Sequence, residues 1–231
     1  MNKIILFILI IITVLYYLGK KNNISQLITY VNPDKICILL TTSVDYSKPD
    51  RINMYNSVIN DYLENTKLNI YIVNSSTNKY FFPEFQNNPR IFIYSFIQQE
   101  NGKSSTYYEA ISILNAFNYF NLNKFDYIIK ITGRYYIHNI EELINKIPEE
   151  TEVIYQNNHL KIIKIISQNS EIFGCKTIYL EDIMTNIINS NDIFENNIKK
   201  LIYKYKCFRL PKIFLTKPVR RGGDKILMKY L

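Results

Sequence analysis

The sequence has no tryptophan, only six glycines, three cysteines and two histidines. Cys37, Cys175 and Cys207 stand far apart with no C-x-x-C pair, which excludes a zinc ribbon and a dense disulfide framework. Cys37 lies in an apolar run and reads as a small core residue, while one Cys175–Cys207 bridge stays open in an oxidising lumen. Gly102-Lys103-Ser104 lacks the GxxxxGK[ST] spacing of a P-loop. His138 and His159 stand alone among tyrosines and asparagines and receive no catalytic role. No internal repeat is visible. The net charge of +8 points to acidic partners. No dense basic block precedes the last residues and no nucleic-acid module accompanies the charge, so nucleic acid is not an expected partner.

What is present is an Ile-, Asn-, Lys- and Tyr-rich chain, the usage an A+T-rich genome would impose. With 231 residues, 47% apolar and 21% charged, it has room for one globular α/β domain with a substantial core, or at most two small domains.

Residues Ile4 to Leu18 form an apolar run flanked by Lys3 and Lys20-Lys21. As a helix this run spans roughly 22 Å, short of a full hydrocarbon core of about 30 Å. No small-x-small cleavage pattern follows it, and Tyr16, Tyr17 and the lysines suit a membrane interface. The expected organisation is an N-terminal membrane anchor over 1–21, a stem over 22–33 and one catalytic domain over 34–231. The expectation is a single-pass membrane protein with a lumenal domain (ER, Golgi, viral factory membrane or virion); positive charge on both sides leaves the orientation open, and a cleaved signal peptide is the alternative. Sequons at Asn23 and Asn74 are compatible with that exposure.

From Lys35 strands alternate with helices. Ile36 to Leu40 is a continuous apolar run, as in a strand buried on both faces. Met54 to Leu63 is amphipathic, with Val58, Ile59 and Tyr62 on one face. Strands follow at Leu68–Val73 and Arg90–Tyr94. A helix opens at Gly102-Lys103-Ser104-Ser105, then a strand runs from Phe125 to Ile131. Asn139 with Glu142 suggests a capping box for a helix through Ile147. Later come Glu152–Tyr155, a strand pair or loop around 159–175, helices near 178–189 and 193–206, and a basic tail. This alternation predicts a mostly parallel sheet with ligands at the strands' carboxyl ends. Three of those ends are polar: Thr41 to Asp45, Asn74 to Ser76, and Thr132 to Arg134.

Three stretches in order carry a resemblance. They are the strand ending in Thr41-Thr42-Ser43, the Asn101-Gly102-Lys103-Ser104 helix start, and Lys130-Ile131-Thr132-Gly133-Arg134-Tyr135. Together they resemble the nucleotide-diphospho-sugar transferases of GT-A fold, and within these the viral and bacterial surface-glycan transferases with a Lys-x-(Thr/Ser)-Gly-Arg-(Tyr/Leu) motif. The resemblance covers about 35–231 and implies a Rossmann-like α/β fold and transfer of a sugar from a nucleotide-diphosphate donor to a glycan or glycoprotein acceptor.

It implies that Thr41, Thr42 and Ser43 line the nucleoside pocket, and that Arg134, with Thr132 and Gly133 beside it, meets the diphosphate. Lys130 or Lys103 would add charge, and Arg221, Gly222 and Gly223 would form a closing loop. Glu195 matches a late glutamate that would serve as base. Many such enzymes place an Asp-x-Asp metal site where this chain has Thr132-Gly133-Arg134. No cofactor is therefore expected, fixed cations taking the metal's place; a divalent manganese or magnesium ion stays open.

Each residue also has a plainer reading. Arg134 could pair with a carboxylate such as Asp45 or Glu109, and Lys130 could pair structurally. Glu109 could be solvated or ion-paired, and Glu195 could complement a helix dipole. The Arg220-Arg221 string could be a solvated tail. The alternative functions are a non-catalytic sugar- or nucleotide-binding membrane protein and a basic membrane-associated structural protein.

Overall fold

The apolar runs become strands of one sheet in a computed structural model that describes residues 29–44, 49–76, 82–99, 101–157, 168–220 and 227–231. The anchor expected over 1–21, most of the stem, Asp45, His159 and the Arg221-Gly222-Gly223 loop lie outside the described residues. Among the described residues no helix is long and apolar enough to cross a membrane.

In chain order the elements are β1 (Ile36–Thr42), α1 (Pro49–Asn65), β2 (Ile70–Asn74), β3 (Ile91–Ser95), α2 (Ser105–Tyr119), β4 (Tyr127–Thr132) and α3 (Ile140–Ile144). There follow β5 (Val153–Asn157), β6 (Gln168–Lys176), α4 (Thr177–Asn189), α5 (Phe194–Leu201), β7 (Cys207–Arg209), β8 (Phe214–Arg220) and β9 (Leu227–Tyr230). Seven strands form one sheet in the order β3-β2-β1-β4-β6-β5-β7. Within it β6 alone runs against the rest.

All seven residues of β1 are buried, as its apolar run predicts for a strand covered on both faces. Its side chains alternate between two cores. Ile36, Ile38 and Leu40 meet Tyr55, Val58, Ile59 and Tyr62 of α1. Cys37 and Leu39 meet Ala110, Ile113 and Phe117 of α2, together with α4 and α5. At about 1.5–3 kcal/mol for each fully buried large aliphatic side chain, this two-sided burial makes β1 the spine of the domain.

The chain lays β2 and β3 on one side of β1 and returns to lay β4 on the other. The strand order therefore reverses between β1 and β4, and a crevice opens there at the carboxyl ends of the strands. Thr41-Thr42-Ser43 and Thr132-Gly133-Arg134 sit on its two lips.

Several local expectations are corrected. Asn139 caps α3 without a side-chain bond, because Glu142 pairs with Lys146 instead of reaching back; α3 stops at Ile144 rather than Ile147. The last long helix ends at Leu201, not near 206. The described part of the basic tail is ordered on the domain: β8 and β9 pair antiparallel, and Ile213 and Leu231 exchange both backbone bonds at 3.0 and 2.8 Å. Lys217 of β8 donates to both Asp61 oxygens of α1, at 2.9 and 2.7 Å.

All three thiols are free, so the Cys175–Cys207 bridge is not formed. Burial raises the Cys37 and Cys175 thiols well above their ordinary range. Burial, helped by Glu152, pushes Cys207 up to about 11. The sequon at Asn74 is fully buried, its Oδ1 accepting from Val44 N at 3.1 Å and Ser76 Oγ at 2.9 Å. A glycosyl group has no access to it in the folded chain.

Candidate active site

The crevice between β1 and β4 is a cleft of about 360 Å³. Thr41, Thr42, Ser43 and Thr132 form its floor, Arg51 and Tyr55 of α1 one wall, and Ser105, Tyr108, Glu109 and Ser112 of α2 another. Arg134 with Ser170 and Glu171 of β6 closes the third side. Hydroxyls dominate this surface, and its charged groups are few.

Bonds between side chains and backbone hold the lips in place. Thr42 Oγ1 donates to Val73 O at 3.1 Å, and Ser43 N donates to the Tyr55 hydroxyl at 3.4 Å. At the start of α2, Ser104 caps the helix by accepting from Tyr107 N at 3.2 Å, after Gly102 turns the chain with a left-handed φ of 72°. Tyr108 Oη accepts from Asn101 N at 2.9 Å and Lys103 N at 3.2 Å, which anchors this turn beside the cleft. Lys103 itself is exposed, its ammonium 5.9 Å from the Tyr107 ring, and does not line the cleft.

Gly133 is also not a lining residue. It is buried behind the floor, with its N–H donating to Thr41 O at 2.8 Å. A Cβ there would lie 2.6 Å from Thr42 Cγ2 and 3.1 Å from Thr41 O. Glycine is needed because β1 approaches so closely, not to admit a ligand. Gly133→Ala is therefore expected to cost about 1–3 kcal/mol through overpacking and to displace Thr41 and Thr42. Urea denaturation reads the first effect, and an unchanged midpoint would contradict it.

The two cations of the Lys-x-Thr-Gly-Arg stretch have different environments. The Lys130 side chain is 1% exposed. Its ammonium donates to Ser170 O at 2.7 Å and Thr132 Oγ1 at 3.2 Å, pairs with Glu109 Oε1, and lies 5.6 Å from the Phe194 ring centre. A lysine has three N–H donors and here meets three oxygen acceptors. No donor is left for a ligand, so Lys130 ties α2, β4 and β6 together beneath the cleft.

Arg134 meets Glu171 rather than Asp45 or Glu109. Its Nη2 lies 3.2 and 3.4 Å from the two Glu171 oxygens, and its guanidinium carbon is 5.1 Å from the Tyr135 ring centre. Burial opposes the Arg134 charge, but Glu171 and then Tyr135 outweigh it, so the guanidinium pKa is held above its ordinary value. Burial first, then Glu171, raises the Tyr135 phenol. Arg134 Nε has no hydrogen-bond partner among the described residues. That nitrogen is buried and closed to a ligand, but Arg134 lines the cleft and no bond among the described residues engages its Nη1.

Glu195, in the first turn of α5, accepts from Ser170 Oγ at 2.8 Å and stands behind the cleft wall rather than in it. Among the described residues no group of three His, Cys, Asp or Glu stands together. The cleft carboxylates Glu109 and Glu171 are each tied to a cation. Among the described residues this donor set does not fit a hard divalent ion, which takes several oxygen ligands.

Glu171, Arg51, Tyr108 and Ser170 carry no assignment from the sequence. Glu171 lies in an uneven Gln-Asn-Ser-Glu stretch, and only the antiparallel register of β6 on β4 brings it beside Arg134.

No protein-family model and no curated protein matches the sequence. Solved structures do match the fold. The glycosyltransferase GlyE of Streptococcus pneumoniae TIGR4 superposes on 77% of this chain and 46% of its own, with a TM-score of 0.50 at 10% identity. The 4-diphosphocytidyl-2C-methyl-D-erythritol synthase of Anaerococcus prevotii DSM 20548 superposes on 78% of this chain and 90% of its own, with a TM-score of 0.50 at 7% identity. A glycosyltransferase involved in the glycosylation of the major capsid of PBCV-1 covers 75% of this chain and 81% of its own, at 9% identity and a TM-score of 0.47. The first two likenesses support the fold alone, a mostly parallel α/β sheet flanked by helices.

Proposed function

We propose that this chain is a membrane-anchored glycosyltransferase that moves a sugar from a nucleotide-diphosphate donor onto a glycan or protein hydroxyl without a metal ion. The observation that carries the reading is the cleft at the β1/β4 reversal. There Arg134, whose Nη1 is engaged by no bond among the described residues, shares the cleft with the hydroxyl-lined lip Thr41-Thr42-Ser43. Such a crevice is where open α/β sheets hold ligands.

In this arrangement Thr41 and Ser43, with Arg51 and Tyr55 at the wall, surround the nucleoside end. Arg134 meets the diphosphate, and its planar donors suit phosphate oxygens in pairs. As the sugar–phosphate bond breaks, charge grows on the leaving diphosphate, and a fixed cation already in position stabilises it. Glu171 holds the guanidinium in place from the other side. The Lys130 ammonium supports the wall and does not touch the donor. Arg221, Gly222 and Gly223 remain part of the proposal as a loop over the donor, and residues 1–21 as the anchor.

The test is release of nucleoside diphosphate from a panel of nucleotide sugars by the full chain, with and without chelator. Turnover that survives chelation is expected, and loss on chelation would refute the metal-free step. A second reading, binding without turnover, is favoured by one observation: Arg134 and Lys130 are already neutralised by Glu171 and Glu109. Saturable binding of a nucleotide sugar with no product from any acceptor would select it.

A further inference from the structure

We infer that Glu109, not Glu195, is the carboxylate that takes the acceptor's proton, an assignment that rests on the sugar-transfer reading above. Among the described residues three carboxylates stand in or beside the cleft, and their environments differ. The Glu171 side chain is 5% exposed and both its oxygens face Arg134. Glu195 is bonded to Ser170 Oγ behind the wall. Glu109 lines the cleft itself, with its side chain 25% exposed.

The two Glu109 oxygens are not equivalent. Oε1 takes the Lys130 ammonium and, at 3.5 Å, the Thr41 hydroxyl. No bond among the described residues engages Oε2. The buried ammonium therefore fixes one end of the carboxylate and leaves the other to a ligand. A base must come within about 2.6–3.2 Å of the proton it removes, and among the described residues Glu109 is the cleft carboxylate with an oxygen left for that. Lys130 acts through it as a positioning residue.

The step balances as a single displacement. The acceptor O–H bond breaks and its proton passes to Glu109 Oε2. The acceptor oxygen's electron pair forms the new bond to the anomeric carbon. The bond from that carbon to the diphosphate oxygen breaks, and its electron pair leaves with the nucleoside diphosphate beside Arg134. The anomeric configuration is inverted.

The experiment uses the full chain and the member of a UDP-, GDP-, CDP- and TDP-sugar panel that gives the largest thermal shift. Glu109→Gln is expected to bind this donor within about threefold of wild type and to lose kcat by about 10²–10⁴-fold, the usual contribution of a general base. Glu109→Asp keeps a charge for Lys130 and withdraws the free oxygen by one methylene. It is expected to fold normally with kcat also reduced, which separates chemistry from stability. The product should show inverted configuration by NMR.

Undiminished kcat in both Glu109 variants overturns the assignment, as does a retained configuration, or a loss confined to Glu195→Gln. Absence of any nucleotide-sugar shift in the wild type refutes the sugar-transfer reading and the assignment with it. Normal donor binding with full turnover in Glu109→Gln refutes the assignment alone.

Discussion

Arg134→Met is expected to lower stability by about 3–5 kcal/mol, the cost of breaking a buried ion pair from one side, and to weaken nucleotide-sugar binding as well. The first loss falls on Glu171, whose 5% exposed side chain would be left with no guanidinium beside it. The second comes from hydrogen bonds to a charged group at about 1.5–3 kcal/mol, roughly a 10- to 100-fold change in affinity.

The double variant Arg134→Met/Glu171→Leu separates the two effects. Replacing a whole buried pair by apolar groups is often neutral or stabilising, so the urea midpoint should return to near wild type. Donor binding should not return. If the double variant bound nucleotide sugars as well as wild type, Arg134 would be a structural residue only.

Lys130→Met is expected to be as destabilising, about 3–5 kcal/mol, for a different reason. One ammonium satisfies a carboxylate on α2, a hydroxyl on β4 and a carbonyl on β6. Its removal strands Glu109 and the Ser170 carbonyl together. Set against a total stability of about 5–15 kcal/mol, this loss is a large share. Because all three donors are used internally, any Lys130 variant that still folds should keep donor affinity within about threefold. Urea denaturation checks the first expectation and donor titration the second. A Lys130→Met protein of wild-type stability that had lost donor binding would mean the ammonium faces the ligand.

These contrasts mark what the sequence could show. The burial of Ile36–Leu40, the amphipathic face of α1 and the polar strand tips were legible, because each depends on local period and on which residue types follow an apolar run. That placed Thr41, Thr42, Ser43, Thr132 and Arg134 at one cleft. The structural pairing open to Lys130 was legible, but its partners and the role of Gly133 were not. The first depend on acceptors 21 residues before Lys130 and 40 residues after it, the second on how closely β1 packs. Glu171 was invisible for the same reason, since its partner is set by strand register. Asn139 and Glu142 show the opposite failure: a sound local pattern lost to a competing partner, Lys146. The tail from Phe214 read as basic surface because its lysines and arginines mask the apolar residues Leu215, Val219 and Leu231, which join the core beside α1.

The central claim is that the β1/β4 cleft holds a nucleoside diphosphate sugar through Arg134. Its most direct test is equilibrium binding of the nucleotide-sugar panel to the full chain, wild type beside Arg134→Met/Glu171→Leu, with chelator present throughout. At a hundredfold excess over Kd a bound donor should add about 2.7 kcal/mol of stability. The expected result is that shift for at least one donor in the wild type, lost in the double variant. No shift with any donor, or the same shift in both proteins, would contradict it.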